Sequence, residues 1–372
     1  MKVLCDGSSL LSAVLKVSSA ISTKTTSPVL ECVKLSAKDD KLILSATDME
    51  IAIEQSITAD ILIEGEAVVP GRYFADLIKK IGSGQIQLFL ETKDKIVVKY
   101  GDNEFSLQCN SREAFPDIEK IAKDKHFSML QGEFKDMVNK SSFCVSTEDS
   151  RPVLKGCLIE TDDYELKCVA LDGYRLALIK KALEEKSINI SVIIPQRALK
   201  EISRLIEKDE HIFTIYVDDK KLMVEIEGTT FISKLIEGEF IKYENIIPKS
   251  FETIAVVKKD EFDSSLDRAS ILTRGIRSNI VNFYLSNSIL EIGAKSEIGN
   301  MQEKIRVNHD GEEIRINFNP KYFTDITRVL DDEFIKIKFN KSSTPAIVTN
   351  IQSDENSTEE FLYMVLPVRT IN

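Results

Sequence analysis

Apolar and polar positions follow a pattern that recurs three times along the chain. Each copy has a short apolar run, then a proline, then a segment whose apolar residues return every three or four positions. The three segments are AVVPGRYFADLIKKI, SVIIPQRALKEISRLI and INFNPKYFTDITRVL, with Pro70, Pro195 and Pro320 separated by 125 residues both times. Proline has a fixed φ and no backbone N–H, so it is tolerated at the start of a helix. The pattern predicts a strand, a proline at the first helical turn and an amphipathic helix.

A second pattern recurs with nearly the same period. Alternating apolar residues begin at Leu42 in LILSATD, at Leu166 in LKCVALD and at Leu290 in LEIGAKS, two steps of 124 residues. This alternation is typical of a half-buried strand. A preceding strand in the same register is predicted around Val33, Leu158 and Phe283.

A further helix is predicted near the start of each copy, in SSLLSAVLKVSSAI, GEFKDMVNKSSF and DEFDSSLDRASIL. The predicted helices span residues 8–20, 72–80, 133–142, 196–206, 260–272 and 321–329. Together they are net basic, although the fifth is acidic.

The repeat is long enough to be a domain. One third of 372 residues is 124, far above the roughly 20–50 residues of solenoid repeats. We therefore predict an α+β protein of three similar β-rich domains, at residues 1–122, 127–249 and 253–372. The order of elements suggests that each domain is itself a duplicated unit with one helix in each half.

Composition indicates a soluble, cytoplasmic protein. The chain is 43% hydrophobic and 29% charged, a balance typical of globular domains. No charge-free stretch approaches the length of a membrane span, and the first residues do not form a signal peptide. The six cysteines have no CxxC spacing; Cys157 and Cys168 could face each other on adjacent strands, but reduced, buried thiols are the preferred interpretation.

The sequence contains no recognisable catalytic constellation. Walker A, GxGxxG, GxSxG and HExxH motifs are missing, and His126, His211 and His309 are scattered. We expect no enzyme activity, no metal and no cofactor. The net charge of −11 also argues against nonspecific grip on nucleic acid, which normally needs a basic face.

One segment of the second copy suggests a binding pocket. Asp172 and Gly173 are typical of a turn between strands. Tyr174, Arg175 and Leu176 then place an aromatic, an arginine and an aliphatic side chain together, a composition that suits protein recognition. The apolar end of the chain, FLYMVLPVR, is either the last strand of a core or one wall of a groove, and Ile351–Glu360 is predicted to be a solvated loop.

Several of these segments resemble one known family. RPVLKG, VALDGYRLAL, FISKLIEGEF and the terminal YMVLPVR are similar in order and spacing to the β subunit of bacterial DNA polymerase III, the sliding clamp. The resemblance runs over the whole chain. It implies a non-catalytic processivity factor for DNA replication, in which helices line a central hole and sheets form the outer rim of a head-to-tail homodimeric ring.

The resemblance also answers the objection from charge. A ring is linked topologically to duplex DNA without sequence specificity, and an acidic exterior would discourage association from the side. By position, the DNA contacts would be Lys24, Arg72, Glu148, Pro152 and Val153. Lys24 replaces an expected arginine, Glu148 stands where a neutral amide is usual, and Pro152–Val153 replaces a tyrosine pair.

The resemblance implies a pocket for short motifs of the polymerase III catalytic subunit, the clamp loader, other polymerases and repair proteins. Its residues would be Leu154, Leu171, Gly173, Tyr174, Arg175, Leu176, Ile241, Asn245, Ile246, Asn319, Tyr322, Ser343, Pro345, Met364, Val365, Leu366, Pro367, Val368 and Arg369. Ile241 stands where a proline is common, and Asn245 where an arginine is.

For the dimer interface, Ile271 and Leu272 match an apolar pair in the third domain, and Phe105 and Leu107 match the opposing strand of the first. The repeat alone fits a second interpretation equally well, a protein-binding scaffold that does not encircle DNA. An enzyme of unrecognised class is the third.

Overall fold

The computed structural model describes residues 1–273, 279–351 and 359–369, except for the side chain of Glu359. It is an α+β protein in which sheets predominate. The first third of the chain contains, in order, β1 (Lys2–Asp6), α1 (Gly7–Ser18), β2 (Cys32–Lys38), β3 (Lys41–Thr47), β4 (Ile51–Thr58), β5 (Asp60–Ile63), β6 (Gly65–Pro70), α2 (Gly71–Ile81), β7 (Gln85–Thr92), β8 (Lys95–Tyr100) and β9 (Asn103–Gln108).

The alternation of strands and helices returns twice, although the second third has two long strands between its helices where the other thirds have five shorter ones. The second third contains β10 (His126–Leu130), α3 (Gln131–Ser141), β11 (Gly156–Leu171), β12 (Arg175–Pro195), α4 (Gln196–Leu205), β13 (Ile212–Val217), β14 (Lys221–Ile226) and β15 (Thr229–Lys234). The last third contains β16 (Thr253–Lys258), α5 (Lys259–Thr273), β17 (Val281–Ser286), β18 (Ile289–Ser296), β19 (Gly299–Arg306), β20 (Asn308–Gly311), β21 (Ile314–Phe318), α6 (Pro320–Thr327), β22 (Phe334–Phe339), β23 (Ala346–Asn350) and β24 (Glu359–Val365).

All six predicted helices are confirmed, with ends that differ by at most two residues from the prediction. The proline prediction holds only for Pro320, the first residue of α6. Pro70 and Pro195 instead close the preceding strands. The fixed φ of proline is compatible with both the end of a strand and the entry to a helix, so the sequence pattern could not separate the two positions.

Helix boundaries follow ordinary capping. The Asp6 carboxylate accepts a hydrogen bond of 2.8 Å from the backbone N–H of Ser9 at the start of α1, and Asn319 caps α6 by accepting from the N–H of Lys321. Side-chain acceptors satisfy N–H groups that have no partner inside the helix.

The helices pack through apolar faces onto the sheets. In the last third, Phe262 of α5 and Phe323 of α6 meet Phe283 and Phe318 of the sheet, with ring centroids 5.0 to 5.8 Å apart. Three of these five ring pairs pack edge to face, a geometry that stabilises a core beyond the area that the rings bury, and the other two are tilted.

Two compact units make up the described chain. One comprises residues 1–132 and 200–235, and the other residues 133–199 and 236 onward. The first holds a sheet of order β5-β1-β7-β8-β9 and an eight-stranded sheet of order β10-β13-β14-β15-β4-β3-β2-β6. The second holds a seven-stranded sheet of order β11-β12-β24-β23-β22-β16-β20 and a sheet of order β19-β18-β17-β21.

The strands of the second predicted domain are therefore divided between two sheets. β10, β13, β14 and β15 belong to the eight-stranded sheet, whereas β11 and β12 belong to the seven-stranded one. The domain limits at 122, 127, 249 and 253 remain a prediction. These limits were drawn from the sequence repeat. Each of the two large sheets contains strands of two repeats, so the sheets do not test where one repeat ends and the next begins.

The middle repeat departs from the predicted pair of separate strands. The positions around Leu158 and Leu166 both lie in β11, which changes register with β12 on either side of Asp163. Asp163 has a φ of 51°, in the left-handed region that non-glycine residues seldom occupy. Of the six cysteines, all but the half-buried Cys109 are buried free thiols, as predicted. Most of the predicted loop at Ile351–Glu360 lies outside the described residues.

Candidate functional site

The turn at Asp172 and Gly173 connects β11 to β12, as predicted. The Asp172 Oδ1 atom accepts hydrogen bonds from the backbone N–H groups of Tyr174, at 2.9 Å, and Arg175, at 3.0 Å. Gly173 has a φ of 93°, which favours glycine because it has no Cβ. The turn projects Tyr174 outward, where its side chain is 57% exposed.

Arg175 points into the protein and is only 7% exposed. Its Nε donates to Asp172 at 2.9 Å, one terminal nitrogen donates to Asp325, and the other donates to the Phe143 carbonyl at 2.8 Å. The guanidinium also lies over the Tyr322 ring, 4.9 Å from its centroid. Its donors are thus used internally, so Arg175 supports the surrounding walls of the predicted pocket and has little surface to offer a ligand.

Asp325 on α6 was not singled out from the sequence. Burial opposes ionisation of its carboxyl, but hydrogen bonds from Lys321 and Arg175 outweigh burial and hold its pKa below the ordinary value. The Lys321–Asp325 spacing of four residues on a helix was visible in the sequence. The bond to Arg175 was not, because it depends on the tertiary fold.

Two tyrosines form one side of the site. The rings of Tyr174 and Tyr322 stack with their centroids 6.4 Å apart. The segment after β24 is fixed beside them, since the N–H of Leu366 donates to the Tyr174 carbonyl at 2.9 Å and the N–H of Val368 donates to the Asn317 carbonyl at 2.8 Å. The structure therefore brings the predicted segments around 174, 322 and 366 together.

The floor of the site is apolar. Leu171, Leu176 and Met364 are direct neighbours across β11, β12 and β24. They belong to one buried cluster with Leu154, and the half-buried Ile241 packs against it. We call this group of five residues the pocket floor.

The other predicted pocket residues line the surroundings. Val365 is buried in β24, and Leu366, Pro367 and Val368 are half-buried. Asn319 and Pro345 are also half-buried, whereas Asn245, Ile246, Ser343 and Arg369 are exposed. Asn245 and Ile246 are not members of the buried cluster.

The predicted DNA contacts lie in both compact units. In the first, Lys24 and Arg72 are exposed, and Arg72 belongs to the first turn of α2. In the second, Glu148 and Pro152 are exposed, but Val153 packs against the cluster of the pocket floor. Val153 therefore adjoins the predicted pocket as well as the predicted DNA contacts.

The predicted interface residues lie at sheet edges and a helix end. Phe105 is 45% exposed and Leu107 is half-buried, both in β9. Ile271 is 66% exposed near the end of α5, and Leu272 beside it is half-buried. Ile298, which precedes β19, is 81% exposed and was not predicted. The sequence offered one signal for this exposed position, an isoleucine in the turn between β18 and β19.

Within the described ranges, no three metal-binding side chains are grouped in a way that could hold an ion. No helix in the same ranges is both long and apolar enough to cross a membrane.

Comparisons with known proteins give consistent results along the chain. Family models for the DNA polymerase III beta subunit match as its N-terminal domain at residues 1–119, its central domain at 128–242 and its C-terminal domain at 244–368. Beta sliding clamps of Staphylococcus epidermidis and Staphylococcus aureus are 30% and 31% identical over 361 residues, covering 94% of this chain and 94% of each relative.

Solved structures agree with these matches. The DNA polymerase sliding clamp of Bacillus subtilis has a TM-score of 0.95 and 28% identity, with full coverage of both chains. A putative DNA polymerase III beta subunit of Eubacterium rectale has a TM-score of 0.94 and 27% identity, also with full coverage of both.

Proposed function

The chain belongs to the DNA polymerase III beta subunit family, and from that premise we propose that it acts as a sliding clamp, a ring of two copies that encircles duplex DNA. It is a non-catalytic processivity factor, not an enzyme. Its role is to keep replication proteins on the DNA, and the cytoplasm is the compartment where that role would be exercised.

The ring proposal rests on a strand pairing that joins consecutive repeats and occurs twice within the chain. The first and third repeats each keep one strand of the same kind unpaired. β4 of the first repeat pairs antiparallel with β15 of the second, and β12 of the second pairs antiparallel with β24 of the third. In the third repeat the strand equivalent to β4 and β12 is β19, and in the first repeat the strand equivalent to β15 and β24 is β9. Both are edge strands in the described sheets.

Exposed edge strands are ready to pair with another chain. Pairing β19 of one copy with β9 of a second copy would repeat the same junction. If each copy does this at both ends, the assembly closes and leaves neither strand as an edge. This supports a closed head-to-tail assembly, which we propose contains two copies.

The internal junctions also predict the register of the missing one. Ile53 lies opposite Phe231, and Ala177 lies opposite Tyr363. Met301 follows Ile53 and Ala177 at the same spacing of 124 residues. Phe105, Phe231 and Tyr363 correspond because each faces a valine of the preceding strand, at Val98, Val224 and Val348. We therefore expect Phe105 of one copy to face Met301 of the other.

Apolar side chains support the same contact. Phe105 in β9 is exposed, and so are Ile271 near the end of α5 and Ile298 just before β19. Large apolar side chains grouped beside an unpaired strand are typical of protein interfaces.

For DNA, Lys24 and Arg72 are the best-supported phosphate contacts, because both are exposed cations in the described structure. Glu148, Pro152 and Val153 remain weaker candidates. A carboxylate repels phosphate, and Val153 is engaged with the pocket floor.

For partners, the proposed site is the pocket floor with the walls formed by Tyr174, Tyr322 and Leu366. An apolar groove of this kind accepts aliphatic or aromatic anchors of a short peptide. The partners would be the polymerase III catalytic subunit, the clamp loader, other polymerases and repair proteins. Arg175 acts as a positioning residue, since its hydrogen bonds connect the turn before β12 to α6.

Retention on circular DNA tests the proposal. The protein, loaded onto a nicked circle by a clamp loader, should survive a wash in high salt and escape when the circle is cut. Phosphate binding alone would be lost as salt rises, whatever the DNA topology. The Ile271→Ala/Leu272→Ala variant is the control that should not be retained. Retention that is indifferent to linearisation would contradict the ring and favour the scaffold.

A further inference from the structure

A cavity rich in lysine lies on the seven-stranded sheet next to the pocket floor. Its volume is about 650 Å³, within the range of pockets that bind ligands. Five lysines and two glutamates line it, together with apolar side chains that include Leu178, Phe361 and Leu362. Net positive charge is unexpected here because the chain as a whole carries −11.

Strand register relates this cavity to the pocket floor. Leu171, Leu176 and Met364 continue across the sheet into Ile347 and Lys338. The parallel row two residues away runs from Val169 through Leu178, Leu362 and Thr349 to Lys336. Residues two apart in a strand share a face and are separated by roughly 7 Å. The cavity is thus the direct continuation of the pocket floor on one sheet face.

Some of the lysines that line the cavity already form ion pairs with carboxylates of this chain, and others do not. Lys167 is paired with Glu165 at 3.0 Å, and Lys180 with Glu360 at 2.9 Å. Among the residues that the structure describes, Lys336 and Lys338 have no carboxylate within 4.0 Å, and Lys338 instead lies over the Phe251 ring. Both side chains are half-buried. Burial and the neighbouring Lys336 lower the pKa of Lys338, as expected for a cation short of anionic partners.

We propose that this cavity receives an acidic segment of a partner protein, adjoining the motif that enters the pocket floor. The inference rests on the proposed peptide pocket and adds the chemistry of the flanking residues. Carboxylates of the segment would pair with Lys336 and Lys338, and an apolar side chain would cover Leu178 and Leu362. A peptide chain extending along the sheet face would reach both places without bending back.

Peptide binding can separate the two sites. Three labelled peptides share a glutamine–leucine–phenylalanine motif: one has glycine–serine flanks, and the others carry two glutamates and a leucine on the N-terminal or C-terminal side. At low salt, whichever of the two acidic peptides directs its flank into the cavity should bind about tenfold more tightly than the neutral peptide, since two partly desolvated ion pairs are gained. The gain should shrink as salt is raised.

Variants then assign the gain to the lysines. Lys336→Gln/Lys338→Gln should reduce the affinity for the acidic peptide to that for the neutral one, and should leave the affinity for the neutral peptide unchanged. Lys186→Gln/Lys208→Gln is the matched control, because it removes two exposed lysines elsewhere. An unchanged thermal midpoint verifies folding, and Lys336→Gln alone, with a smaller loss, serves if the double variant is unstable.

The outcomes are distinct. Equal binding of all three peptides, or a gain that survives in the Lys336/Lys338 variant, overturns the acidic-segment proposal and leaves the pocket intact. Failure of the neutral peptide to bind the native protein overturns the pocket itself. A thymidine oligonucleotide that displaces the acidic flank, with the same dependence on both lysines, would assign the cavity to nucleic acid and also overturn the proposal.

Discussion

The guanidinium of Arg175 is hydrogen-bonded to the carboxylate of Asp325, although 150 residues separate them in the sequence. Arg175 also holds Asp172 in the turn before β12, and Asp325 belongs to α6. The pair therefore connects the turn that carries Tyr174 to the helix that carries Tyr322. Because those tyrosines form one side of the proposed pocket, we expect its shape to depend on this ion pair, in which Arg175 is buried and Asp325 is half-buried.

Asp325→Asn should lower the free energy of unfolding by about 2 kcal/mol, since it weakens the charge-assisted hydrogen bonds that the carboxylate accepts from Arg175 and Lys321, while Arg175 keeps its pair with Asp172. The folded-state pKa of Asp325 is below its ordinary value of 3.8. Its contribution is therefore complete above pH 3.8 and is lost as pH falls through the lower folded-state pKa. Urea unfolding across this range measures the difference between the native protein and the variant.

The difference in the free energy of unfolding between the native protein and Asp325→Asn should be constant near neutral pH and should become smaller in acid. Asp331→Asn, at an exposed position just after α6, is the control and should change little. A difference independent of pH down to the acid limit of folding would contradict the assigned role.

Ile271→Ala/Leu272→Ala should convert the dimer into folded monomers at micromolar concentration. Truncating a desolvated aliphatic side chain costs about 2 kcal/mol or more, so two truncations should weaken each contact by roughly 1,000-fold. Sedimentation velocity measures the effect. Ile212→Ala, at another exposed isoleucine, should leave the dimer unchanged, and a dimeric double variant would refute the interface.

The register of the interface can be tested by cross-linking. If Phe105 faces Met301, then Ser106 faces Asn300, and residues directly opposite have Cβ atoms about 5 Å apart. Ser106→Cys/Asn300→Cys should form a disulfide between copies, detected as a dimer on a non-reducing gel.

Native thiols should interfere little, because five are buried and burial raises the pKa of Cys109 to about 11. The control is Ser106→Cys/Lys304→Cys, four residues out of register. Cross-linking that is equally efficient in the control would contradict the predicted pairing.

Leu366→Ser/Pro367→Ser should weaken binding of the neutral motif peptide by at least roughly thirtyfold, because apolar anchors typically contribute about 2 kcal/mol or more each. Fluorescence anisotropy measures the affinity. The variant should still form a dimer, since the pocket and the interface involve different strands. An unchanged affinity would refute the assignment of this wall.

Much of the fold could be predicted from sequence because periodic burial leaves a periodic pattern. The helices at Phe74 and Phe323 were predicted to within two residues, since apolar spacing and capping are local properties. The division of the second repeat between two sheets was not predictable. Strand pairs such as Ile53 with Phe231 are set by packing between repeats, and no local pattern records them.

The site shows the same limit. The turn at Asp172 and Gly173 was predictable because its causes are local. Asp172 accepts hydrogen bonds from the backbone N–H groups that follow it, and Gly173 adopts a positive φ. The inward course of Arg175 was not, because its partners lie at Phe143 and Asp325, remote in sequence. Likewise, neither Lys336 nor Lys338 stands out in a chain with many lysines. They become notable only where the register aligns them with the pocket floor.

The proposed junction of β19 with β9 would have a mechanical consequence. It would be a ladder of main-chain hydrogen bonds between two edge strands, with no element of one copy threaded through the other. Such a ladder can separate one bond at a time from either end, while the strand on each side stays paired with its own sheet through β18 or β8. A partner that pulls at one end would therefore open a gate for DNA without unfolding either copy. A slip of one residue on closing would turn Phe105 to the opposite face, so the gate would close again in a single register.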